Sequence, residues 1–134
     1  MSAASVLQAA AVAALAARAE LTGMSVFDAP PVRAALPYAV VDDPVLADWS
    51  GTAIAGREGR LVVTLVDAGE RPVRLRTLAD AAEAAVRGIG PGLADGWRIA
   101  SLSLVRSRVA RGGGDRWIAT GEFRVRVYRE VSPA

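Results

Sequence analysis

The chain has 134 residues and a formal charge of +2, and it contains no histidine, cysteine or lysine; all 16 basic residues are arginine. This composition excludes an imidazole base near neutral pH, a thiolate nucleophile, a Cys/His metal cage and lysine-based Schiff-base or P-loop chemistry. Only Asp, Glu, Ser, Thr, Tyr and Arg remain for chemistry, so the chain is expected not to be an enzyme, to carry no cofactor or metal, and to act by shape and contact.

The length fits one domain, residues 1–134, large enough to bury a core without disulfides. Hydrophobic residues are 52% of the chain but aromatics only 5%, so the core is expected to be Val, Leu, Ile and Ala. Arginines mixed with acids along the chain read as a solvated surface, not a basic tail.

Ser2 or Ser5 is placed to cap a first helix running to about Glu20, because a serine hydroxyl accepts a bond from a free backbone N–H. Leu7, Ala11, Ala14 and Leu15 share its inner face. Val6 to Ala17 is apolar apart from Gln8. That run is shorter than the ~20 residues of a membrane span, and no basic residue precedes it as in a signal peptide. An amphipathic N-terminal helix ending by Gly23 is expected, and no membrane partner.

Ser25 to Asp28 predicts a short strand. Ala29-Pro30-Pro31 then forces an extended, unpaired passage, since proline cannot donate to a ladder. Pro37 to Asp42 predicts a second strand, closed by Asp43-Pro44, and Asp48-Trp49-Ser50-Gly51 a turn. Arg57 to Asp67 predicts a third strand. Its two faces, Leu61, Val63, Leu65 and Val62, Thr64, Val66, are both largely apolar, which predicts a central strand covered on both sides. Pro72 suits the first turn of a second helix, expected to reach about Arg87 with Val73, Leu78, Ala82, Ala85 and Val86 inward. Gly88-Ile89-Gly90-Pro91-Gly92 stops it.

Trp97 to Arg111 and Asp115 to Glu130 predict two long strands around Gly112-Gly113-Gly114. In the last of them Trp117, Ala119, Gly121, Phe123, Val125 and Val127 share one face. Thr120, Glu122, Arg124, Arg126, Tyr128 and Glu130 share the other. The expected architecture is α+β: a mixed or antiparallel sheet of four to five strands, two helices packed on it, and a long C-terminal β-hairpin. Fifteen extended residues span roughly 50 Å at ~3.3 Å each. The body should measure about 35–40 Å, so the hairpin is expected either to bend, with Gly121 the natural place, or to project as an arm matched by a partner.

The chemistry candidates are few. Asp42 and Asp43, with Asp28, Glu58 and Asp67, allow a Mg²⁺-dependent nuclease to be imagined, but they follow no ligand spacing, and turn acids and salt bridges are the plainer reading. Ser101, Ser103 and Ser107 lie on a strand with no base to activate them. Arg106, Arg108, Arg111, Arg116, Arg124 and Arg126 crowd the hairpin. They suit phosphate contact, yet scarce aromatics argue against a stacking platform for single strands. Arginine that pairs with carboxylates at protein interfaces is the favoured reading.

The order of helix, Val26-Phe27-Asp28-Ala29-Pro30-Pro31, Pro37-Tyr38-Ala39-Val40-Val41, Asp48-Trp49-Ser50, Gly56-Arg57-Glu58-Gly59-Arg60, helix and closing hairpin resembles the small tail-completion or tail-terminator proteins of long-tailed phages. It is most similar to those of alphaproteobacterial gene transfer agents. Where such proteins often carry a tryptophan and a small polar residue at the end of the central strand, Val66-Asp67-Ala68 stands here. The resemblance implies a structural ring, typically of six subunits, that caps the tail tube, ends its polymerisation and joins it to head-side neck proteins, with DNA passing through the lumen. The implied partners are other copies of the chain, the tail tube protein, a neck or stopper protein and DNA held without sequence preference. The implied location is the cytoplasm during assembly and then the neck of the particle. A head-side stopper or adaptor, and a small basic DNA-binding or nuclease domain, are the alternatives. Trp49, Arg106, Arg108, Arg124, Arg126 and Tyr128 are expected to lie at an interface.

Overall fold

A computed structural model of the chain describes residues 1–131. Two helices lie on one face of a six-stranded mixed sheet. Helix α1 spans Ala3–Ala17, and the Ser2 hydroxyl accepts the backbone N–H of Ser5 at 3.1 Å, so Ser2 is the cap. Val6, Leu7, Ala11 and Leu15 are buried, with Ala14 at their margin. Helix α2 spans Val73–Arg87 and buries Leu75, Ala82, Ala85 and Val86. Val73, expected inside, is 54% exposed. At about 100° per residue it stands roughly 200° around the axis from Leu75, where the buried stripe begins.

The strands are β1 (Ser25–Phe27), β2 (Tyr38–Val41), β3 (Val45–Asp48), β4 (Ile54–Ala68), β5 (Arg98–Arg111) and β6 (Arg116–Glu130). Their order is β1-β2-β4-β6-β5; β1 is parallel to β2 and the other pairings are antiparallel. The sixth strand is β3, which the sequence does not announce: four residues are too few to show a period of two, and three of them are exposed. Two short strands share one side of β4, with β2 paired to residues 63–66 and β3 to residues 57–60.

On its other side β4 pairs with β6 along the full length, from Ile54↔Glu130 to Ala68↔Arg116. The expected projecting arm is therefore absent: β4 is longer at both ends than its apolar run suggests and lies along the hairpin throughout. The register runs unbroken through Gly121 in both pairings. The register shifts fall in β5, between Ile99 and Ser101 and between Leu104 and Arg106. Bulges of this kind raise the local twist and let a long strand curl with the body. The free long edge of the sheet is β5.

The core lies between helices and sheet. Leu61, Val63 and Leu65 of β4, Ala39 and Val41 of β2, and Phe123, Val125 and Val127 of β6 all face it, at most 2% exposed. Helix α1 covers β1 and β2, α2 covers β4 and β6, and the helices touch each other. Helical cover of β4 on both sides, inferred from its apolar run, is not what forms. Val62 and Thr64 look away from the helices and are only half-buried. The sheet has its two helices on one layer, and its other face carries the charges.

Candidate functional site

That second face is built by alternation. With the odd residues of β6 turned to the helices, Glu122, Arg124, Arg126 and Tyr128 must point the other way. The registers set Arg60 across from Arg124, Glu58 across from Arg126 and Arg106 across from Glu122. Arg126 pairs with Glu58 at 2.8 Å. Glu122 is shared, with Arg106 at 3.0 Å and Arg60 at 3.6 Å. Arg108 is exposed beside Thr120, in the same face.

Trp49, in the connection between β3 and β4, completes the patch. Its ring lies under the Arg126 guanidinium, 5.0 Å from the carbon to the ring centroid. Its Cε3 stands 3.0 Å from where a Cβ on Gly56 would be, and Gly56 is the partner of Tyr128. The fold thus gathers Trp49, Arg106, Arg108, Arg124, Arg126 and Tyr128 on one side of the sheet.

Their electrostatic situations differ. Arg126 is held twice, by Glu58 and by Trp49. Arg124 is exposed and has no ion pair among the described residues, and its cross-strand neighbour on β4 is another arginine. Like charges directly opposite repel. Arg108 also has no ion pair among the described residues. The remaining two tryptophans take arginines as well: Arg111 lies 4.8 Å from the Trp117 centroid and Arg129 4.6 Å from that of Trp97. Trp117 Nε1 donates to the Gly69 carbonyl at 3.1 Å, whereas Trp97 Nε1 is buried with no partner among the described residues.

One buried charge was not singled out by the sequence as anything but a candidate ligand. Asp67, at the end of β4, is 3% exposed. Arg74, in the first turn of α2, donates to both its oxygens, Nε at 2.7 Å and Nη2 at 2.6 Å. That fork holds the Asp67 carboxyl below its ordinary value of 3.8 despite burial, helped by the Ala68 backbone N–H. The pair clamps the helix start to the strand end. The seven-residue spacing across a loop was the only hint in the sequence. Asp28, Asp42 and Asp43 are exposed, and no group of three or more acids placed to hold a metal ion occurs among the described residues. Ser101 and Ser103 belong to the charged face, and Ser107 to the helix side.

A sheet backed on one layer by helices, its other face a lattice of ion pairs with spare arginines, is the frame of a structural protein that presents faces and edges. Residues 5–128 match the model of the family described as Tail completion protein gp17. The chain belongs to that family, as its motifs suggested, and is a structural tail protein. A chain of the solved structure "Virion of native gene transfer agent (GTA) particle" matches it with a TM-score of 0.71 at 30% identity, covering 96% of this chain and 99% of that one. No curated protein sequence matches.

Proposed function

We infer that the protein closes into a ring, six subunits being the expected number, that caps the finished tail tube, ends its growth and joins the tail to head-side neck proteins. DNA crosses the lumen without sequence-specific contact. The observation that carries this reading is the full-length match to a chain of a gene transfer agent particle, together with the family's tail-completion role. The subunit is assembled in the cytoplasm and ends as part of the particle. The charged face of β4, β5 and β6 serves contacts in the assembly, with Trp49, Arg106, Arg108, Arg124, Arg126 and Tyr128 as its interface residues. Arg124 and Arg108 lead, because they enter with no internal partner to give up, and a neighbouring carboxylate gains a bidentate pair. A ring contact is heterologous, so each subunit needs two different patches.

The test is native mass spectrometry of the purified protein at low and moderate salt, followed by a tail-tube binding assay. A closed species, free or on tubes, and tubes of uncontrolled length in its absence are the expected results. Binding to a portal-bound adaptor without any affinity for tube subunits would move the protein to the head-side stopper role instead. Salt-sensitive DNA binding with no protein partner would overturn both.

A further inference from the structure

Under the β5–β6 hairpin a groove of about 320 Å³ opens between α2 and the sheet. It exists because small residues face each other there: Gly121 and Ser107 are cross-strand partners, and Ala79 and Ala82 lie opposite on the helix. Its floor is apolar, from Val63, Leu65, Ala119 and Phe123. Its helix rim carries both signs, Arg76 beside Asp80 and Glu83. Arg76 and Asp80 have no ion pair among the described residues; Glu83 is paired to Arg87 at 2.9 Å.

At the opposite edge of the sheet, the connection between β1 and β2 presents an exposed apolar side chain. Val32 at its tip is 103% exposed, more than any other large apolar side chain described. It follows Ala29-Pro30-Pro31 and precedes Arg33, and Asp28 opens the connection. Neither Asp28 nor Arg33 has an ion pair among the described residues. The segment is held at its neck. The Gln8 side-chain amide donates to the Asp28 carbonyl at 3.0 Å and the Val41 carbonyl at 2.9 Å. The rings of Phe27 and Tyr38, one on each side of the neck, meet edge-on at 5.9 Å. Prolines and a pinned base lower the entropy that the segment loses on binding. In the single chain the Val32 side chain is fully solvated.

We propose that the Asp28–Pro37 segment of one subunit docks into the groove between α2 and the β5–β6 hairpin of a second copy, with Val32 against the Phe123 floor. Asp28 meets Arg76 on the rim, and Arg33 meets Asp80 and Glu83. Knob and groove lie at opposite edges of one sheet, so the contact is head-to-tail and repeats from copy to copy, as a closing ring requires. The assignment rests on the ring reading and names the surface through which the ring closes.

The chain has no cysteine, so single thiols report cleanly. Val32→Cys and Ser107→Cys proteins are prepared separately, mixed and oxidised with diamide, alone and on tail tubes. A disulfide-linked dimer only in the mixture is the expected result, since bridging needs Cα atoms within roughly 7 Å. Val32→Asp, which disturbs nothing in the monomer, should weaken self-association by at least about tenfold, the equivalent of 1.4 kcal/mol. A ring seen by mass spectrometry without the cross-link, or unaffected by Val32→Asp, overturns this docking and leaves the ring reading standing. Neither ring nor cross-link, with or without tubes, overturns both. A benzophenone carried on Ser107→Cys that labels tube or neck protein instead of a second copy assigns the groove to that partner and overturns the proposal.

Discussion

Gly59 has no room for a side chain. A Cβ there would collide with the Val45 carbonyl oxygen, and one at Gly56 with that of Trp49. The two glycines of Gly56-Arg57-Glu58-Gly59-Arg60 therefore let β3 and the Trp49 segment lie close on β4. Gly59→Ala is expected to cost about 1–3 kcal/mol, as overpacking does, and to free β3 first, read as loss of amide protection over residues 45–48. The arginines separate by sign. Arg124→Glu replaces a repulsion across from Arg60 with an attraction, so the monomer should gain about 0.5 kcal/mol in urea unfolding while assembly weakens. Arg126→Glu breaks contacts with Glu58 and Trp49 and should lower monomer stability. If both variants behave alike, the distinction between free and committed arginines is wrong. Asp67 gives a pH dependence. Its folded carboxyl titrates below the unfolded value of 3.8, so its contribution is fully present above about pH 4 and is lost as pH falls through the lowered value. Asp67→Asn should thus be destabilised at pH 7 in thermal unfolding, with the deficit narrowing as the pH falls below the unfolded value.

The elements owe their clarity to their length. In β6 the sequence alternates in polarity from Thr120 on and the burial alternates strictly over Phe123–Val127, so little tertiary information is needed to see which face is which. Helix α1 was equally legible from its cap and its apolar spacing. Ser2→Ala should cost about 1 kcal/mol, and Phe123→Ala about 3–5 kcal/mol, both measurable by denaturant unfolding. The four-residue β3 was not legible, because a strand that short is selected by its neighbour and not by its own pattern. The same limit applies to β4: its apolar centre was plain, but its ends at Ile54 and Ala68 exist only because β6 runs beside them.

At the scale of the molecule, two helices on one side leave a charged sheet face, a long free β5 edge and a groove beside it. These are features of a part made to fit others. The ring reading predicts that native mass spectrometry detects a closed oligomer, alone or on tubes, and that Arg124→Glu shifts it toward free subunits. The absence of histidine, cysteine and lysine, the α+β order and the alternation of β6 were settled by the sequence alone, because composition and local period belong to each segment by itself. The family motifs were also visible there. Which face of β4 is covered, which arginines keep a free charge, why Gly56 and Gly59 must stay bare, and where the groove opens were decided only in the folded chain. Each depends on a neighbour far away in sequence, and register, not local preference, chooses that neighbour.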